Sequence, residues 1–126
     1  MQIDLAFHTT LHSPGRTFHL AVQLRSHAKR IVVHGPSGAG KSLMLKAMAG
    51  LARPDAGHVR IGGRPLFEQP GGINLSPQAR RVGYLFQDYA LFPHLNVRQN
   101  IAFGLHRHWC NPGRATPDPR VDYWLD

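Results

Sequence analysis

Acidic residues are scarce in this chain. Its 126 residues hold seven carboxylates against fifteen lysines and arginines, a formal net charge of +8, and Glu68 is the only glutamate. Cysteine is scarcer still. Cys110 stands alone, so no internal disulfide can form, which fits a reducing compartment. Long apolar runs are also missing. The longest, Tyr89 to Phe92, falls far short of the ~20 residues that span a bilayer, so no membrane-crossing helix is expected. Asp4 sits near the N-terminus and no basic cluster precedes an apolar stretch, so no secretory leader is expected. Charged residues make up 17% and hydrophobic ones 42%. That balance excludes a disordered polyelectrolyte and leaves enough apolar side chain for a single core. The basic excess is dispersed from Arg16 to Arg120 with no run longer than Arg80–Arg81, which predicts a solvated surface and no nucleic-acid partner.

What is present alternates first and then turns glycine-rich. Ile3, Leu5 and Phe7 alternate within residues 1–11, and Phe18, Leu20, Val22 and Leu24 alternate within 17–24, around a turn at His12–Gly15. Both stretches predict strands with one apolar face. Ile31–Val33 reads as a short buried strand running into a Gly-rich loop. Ser42–Leu51 reads as a helix stopped by Gly50, with Pro54 beyond. Gly62–Gly63 between 58–61 and 64–67 predicts a hairpin, 69–75 a loop, and 81–86 another strand. Residues 97–105 predict a short helix, 106–119 a Pro/Gly-rich loop, and 120–126 the opening of another helix.

Residues 35–42 read Gly35-Pro36-Ser37-Gly38-Ala39-Gly40-Lys41-Ser42, which fits G-x-x-x-x-G-K-[ST] in full. Backbone N–H groups can surround a polyphosphate only where no side chain intrudes, so glycines line such a loop. The helix that follows adds its N-terminal amides and dipole. Lys41 would reach the terminal phosphates, and the Ser42 hydroxyl offers a hard oxygen to Mg²⁺.

The loop alone does not separate P-loop classes; the next sixty residues do. Leu51-Ala52-Arg53-Pro54-Asp55-Ala56-Gly57 continues from the helix. Then come Arg80-Arg81-Val82-Gly83-Tyr84-Leu85-Phe86-Gln87-Asp88, Leu91-Phe92-Pro93-His94 and Asn96-Val97-Arg98-Gln99-Asn100. Over residues 1–105 the chain resembles the ATP-binding subunit of an ATP-binding-cassette (ABC) importer, most similar to the molybdate type. Sulfate, iron and polyamine importers are close. The resemblance implies an α/β fold: a P-loop NTPase (RecA-like) core with an antiparallel β subdomain, ending before the helical signature region. Residues 1–105 would be the N-terminal part of the nucleotide-binding domain, and 106–126 a loop with the start of the helical subdomain. It implies ATP and Mg²⁺ as cofactors, Gly35 through Leu43 as the phosphate-binding set, and Lys41 and Gln87 as catalytic residues. Ser42 and Gln87 would stand at the metal. Family adenine sites use an aromatic ring after the first strand; the nearest position here is His12, a departure from that ring. The implied partners are a membrane permease seated on the 88–96 loop and a second copy of the subunit, at the cytoplasmic face of the inner membrane.

The family's hydrolytic carboxylates follow an apolar run of four and an LSGGQ-type segment, and neither occurs among these residues. A fragment is therefore expected, with ATP binding and negligible turnover on its own. A small P-loop phosphotransferase and a non-catalytic nucleotide-binding module are the competing classes. His106, His108 and Cys110 would share a strand face but lack a fourth ligand, so no metal centre is expected there. Met44 and Met48, at helical spacing, read as core.

Overall fold

The alternation of the first 26 residues is realised as two long paired strands. In the computed structural model, which describes residues 2–105, 110–115 and 117–125, β1 (Ile3–Ser13) and β2 (Arg16–Ser26) form an antiparallel hairpin closed at Pro14–Gly15. The turn is tighter than the sequence predicts, and His12 lies inside β1, paired with Thr17. Helix α1 (Lys41–Ala49) follows the glycine-rich loop. β3 (Ala56–Ile61) and β4 (Arg64–Gln69) form the second hairpin around Gly62–Gly63, and β5 (Ile73–Asn74) adds a short edge. The sheet order is β2-β1-β3-β4-β5, antiparallel throughout.

Register aligns the apolar face. Leu5 stands between Leu24 and Val59, Phe7 opposite Val22, and Val59 opposite Phe67. That face packs on α1 through Met44 and Ala47, and Leu5, Phe7, Val59, Leu66 and Phe67 complete the buried cluster. The other face is polar, with His58 Nε2 3.1 Å from Asp4 Oδ1 and Arg60 2.9 Å from Glu68. The His58 hydrogen bond holds the Asp4 carboxyl below its usual range. Gly57 lets β3 approach β1: at φ +111, a Cβ there would lie 2.1 Å from Ala6 O.

Two expected strands do not form. Residues 31–33 and 81–86 lie outside any ladder, Arg81 turning through the left-handed region at φ 55, and Val32 is 91% and Leu85 83% exposed. A strand exists only through a neighbour. The antiparallel sheet is built from hairpins, and neither segment joins a ladder among the described residues. Two elements were not anticipated: β5 inside the predicted 69–75 loop, and α2 (Pro77–Arg80), capped by Ser76 with Pro77 in the first turn.

The chain divides into two compact units, Met1–Tyr84 and Leu85–Asp126. The second contains α3 (Val97–Ala102), a 3₁₀ turn (Phe103–Leu105) and α4 (Pro119–Asp122). A reciprocal cap between Asn96 and Gln99 starts α3, and Gln99 donates to Pro112 O at 2.7 Å. Arg98 pairs with Asp122. No helix among the described residues is long and apolar enough to cross a membrane.

Candidate functional site

Position 40 shows how the loop is shaped. Gly40 has φ +93 and its place is pressed by β2: a Cβ there would meet Leu20 Cδ1 at 2.7 Å and Phe18 Cζ at 3.3 Å. Gly38 is also left-handed, at φ +80, with open space where its side chain would be. The chain turns at residues 37–40, Ala39 N donating to Pro36 O at 3.3 Å, and enters α1 at Lys41. Ser42 is exposed and Lys41 half-buried.

Helix α1 begins without a side-chain cap, because its N-cap is glycine, and no acidic residue lies in its first turn. Its leading amides are orphan donors, and the helix dipole adds partial positive charge. Lys41 folds back over the loop and donates to Gly35 O at 2.7 Å and Pro36 O at 2.6 Å. These are neutral acceptors, and none of the described ion pairs involves Lys41. An ammonium without a counter-charge, beside uncapped amides, is a site that fits an anion. The expected phosphate-binding stretch, Gly35 through Leu43, is therefore brought together in one loop and one helical turn.

Beside Gly38 lies a hollow of about 240 Å³ lined by Leu11, Ser13, Arg16 and Phe18. Strand alternation and register put all four on one sheet face, Ser13 opposite Arg16 and Leu11 opposite Phe18. His12 is not among the lining residues; its Nδ1 lies 3.4 Å from Thr17 Oγ1. Sequence reasoning passed over Arg16 as a lining residue. Its signal was its place beside the Pro14–Gly15 turn.

Behind α1 lies a second feature the sequence concealed. Arg80 is only 3% exposed. Nη1 donates to Ala47 O at 2.7 Å and Met48 O at 3.0 Å, Nε to Leu75 O at 2.9 Å, and Nη2 to Asn74 Oδ1 at 3.0 Å. Burial pushes the guanidinium pKa down, yet arginine starts so high that the group stays a cation.

Gln87 belongs to the second unit, exposed at the head of a turn over residues 87–90 in which Tyr89 N donates to Phe86 O at 3.2 Å. In the 88–96 loop, Tyr89 and Leu91 are 71% and 68% exposed. Phe92 stacks on Phe103 with ring centroids 4.3 Å apart. Asn100 fixes the loop backbone: its Oδ1 accepts from Phe92 N at 2.9 Å, and its Nδ2 donates to the carbonyls of Phe92, Leu95 and Asn96. His106 and His108 lie outside the described residues, and Cys110 is a free, exposed thiol. No group of three metal-ligating side chains occurs among the described residues.

The family model described as ABC transporter matches residues 20–125. The chain is 48% identical over 88 residues to the molybdenum import ATP-binding protein ModC of Rhodospirillum rubrum, covering 70% of this chain and 24% of that protein. It is 48% identical over 97 residues to the protein of the same name from Mycobacterium tuberculosis, 75% of this chain and 26% of that one. The Haemophilus ducreyi protein of that name is 38% identical over 98 residues, 77% and 28% respectively. The chain thus spans about a quarter of the length of the curated relatives it matches.

Proposed function

The chain belongs to the ABC transporter family, and on that premise we propose that it binds ATP with Mg²⁺ and, within a full-length subunit, energises import of a molybdenum oxyanion. The observation that carries the binding half is the loop at 35–42. Its uncapped helix start and the Lys41 ammonium, which is in none of the described ion pairs, supply donors and positive charge, and no acidic residue lies in the first turn of α1. Glycine, with no side chain, at positions 35, 38 and 40 lets phosphate oxygens approach the backbone.

The roles divide by chemistry. Amides from Gly38 to Leu43 hold phosphate oxygens, and Lys41 leaves Gly35 O and Pro36 O to meet the terminal phosphates. Ser42 Oγ would hold Mg²⁺, which neutralises phosphate charge when bound. Gln87, a neutral amide, orients water without competing for the metal. The nucleobase lies toward the hairpin tip, where Phe18 and Arg16 line the hollow beside Gly38 and His12 is the adjacent ring in sequence. The solute assignment rests on the printed names of the relatives. The same reading places the subunit, with its RecA-like core complete, at the cytoplasmic membrane face as one of two copies. A permease there contacts the 88–96 loop through exposed Tyr89 and Leu91.

An amide-resonance titration of the 126-residue chain with Mg·ATP tests the binding half. The reading expects the largest shifts at Gly38 through Ser42. Saturable binding that leaves those amides unmoved would overturn it.

A further inference from the structure

The phosphate chemistry above makes no use of Arg80, and a buried cation with no carboxylate partner among the described residues is unusual enough to need a reason. Its hydrogen bonds supply one. They gather the last carbonyls of α1 (Ala47 and Met48), the chain just past β5 (Leu75) and the β5 side chain of Asn74. The helix end carries partial negative charge, so a cation there is held by the dipole as well as by its acceptors. Gly50 makes the approach possible: a Cβ at that position would lie 2.7 Å from Arg80 Nε. Among the described bonds the remainder of α1 makes no such polar tie to another element; Met44 packs into the sheet core and Lys41 bonds only the loop that precedes the helix. Its first turn is uncapped and its N-terminal neighbour is a glycine loop.

We propose that Arg80 is a positioning residue for nucleotide binding: by clamping the C-terminal end of α1 to the β5 edge, it aims the N-terminal end, and hence Lys41, Ser42 and the loop amides, at the phosphates. The inference rests on the nucleotide-binding reading of residues 35–42. The lever is short and stiff. Nine helical residues span about 13 Å, so a tilt of only about 5° about the clamped end displaces the first turn by ~1 Å. Displacements of that size at a preorganised site cost about tenfold or more. A guanidinium suits the task because its planar fork meets several acceptors at once, which a lysine ammonium on a flexible stem cannot reproduce.

The test uses the 126-residue chain and its Arg80→Ala and Arg80→Lys variants. Mg·ATP affinity is measured by calorimetry, below the melting temperature of every chain. Amide resonances of Gly38 through Ser42 are recorded without nucleotide. Arg80→Ala is expected to lose about tenfold in affinity and Arg80→Lys about threefold. Both should shift the loop amides in the nucleotide-free state. Guanidinium ion, far below denaturing concentrations, should restore part of the Arg80→Ala loss and leave the parent chain unchanged; general loss of stability would not show that response. Affinities equal to the parent chain's with unmoved loop amides would overturn the proposal. So would failure of guanidinium to rescue, or failure of both variants to fold, which would make Arg80 a folding residue only. If the parent chain binds no nucleotide, the reading of the loop fails, and the nucleotide-free amide shifts still decide whether Arg80 positions it.

Discussion

Replacing Lys41 with alanine removes the one side-chain cation that the loop itself supplies. In the structure this ammonium sits 2.7 Å from Gly35 O and 2.6 Å from Pro36 O. Binding must move it from those carbonyls to phosphate. A unit charge pair at 4 Å in a partly exposed site is worth about 4 kcal/mol, so two phosphate charges offer about 8 kcal/mol. Against this stand two charge-assisted hydrogen bonds to the loop carbonyls, about 1.5–3 kcal/mol each. The surplus of about 2–5 kcal/mol corresponds to a Kd at least about thirty times weaker in Lys41→Ala, and up to a few thousand times weaker at the upper end. Calorimetric titration with Mg·ATP at fixed ionic strength measures this, with Lys41→Arg as the charge-retaining control. An alanine variant within threefold of the parent would refute the reasoning, because the ammonium would then contribute nothing beyond what the carbonyls already give it.

Four further outcomes are expected. The purified 126-residue chain should bind Mg·ATP and release phosphate no faster than a blank, because it lacks the family's carboxylate segment; robust turnover abolished by Lys41→Ala would contradict this. Gly57→Ala should cost more than about 2 kcal/mol in urea unfolding, since the new Cβ meets the Ala6 carbonyl at 2.1 Å. Asn100→Ala should speed hydrogen exchange at the Phe92 amide, which donates to Asn100 Oδ1. The Arg120 side chain, with its backbone N–H, lowers the Asp118 carboxyl to about 2. With the folded value depressed, its stabilisation of α4 is present above about pH 4 and lost as pH falls toward 2. A carboxyl titration midpoint near 4 would contradict this.

Where one physical cause acted locally, the sequence was readable. Alternation at Leu5, Phe7, Leu20 and Val22 names one buried face because pleat geometry leaves no second choice, and the register sets Phe7 opposite Val22 and Leu5 opposite Leu24. The turn over 37–40 and the helix start at Lys41 were legible because glycines at fixed spacing permit the left-handed steps that lead into the helix. Ser76-Pro77 is a helix-start signal, and α2 could have been found from it. Arg80 could not. Nothing local distinguishes a buried arginine from the exposed Arg81 beside it, and its acceptors at Ala47 and Met48 are fixed only once the sheet has closed. Asn100 was hidden for the same reason, as its partners are backbone groups earlier in the chain. Residues 31–33 and 81–86 were misread because composition reports the wish to be a strand, whereas pairing decides it.

The crowding of Gly40 by Leu20 and Phe18 changes how variation in this chain should be sorted. Position 40 is restricted twice, by its φ of +93 and by a neighbour 2.7 Å from where a Cβ would stand. Trimming Leu20 would relieve only the second restriction, so no compensating change in β2 can rescue a larger residue at 40. The dependence runs the other way as well. Leu20 carries no chemistry and would be filed as core, yet with Phe18 it forms the wall against which the loop takes its shape. Substitutions there should surface in a genetic screen as nucleotide-affinity alleles before they surface as unstable ones, and a map of the site drawn from contacts to phosphate alone would omit them.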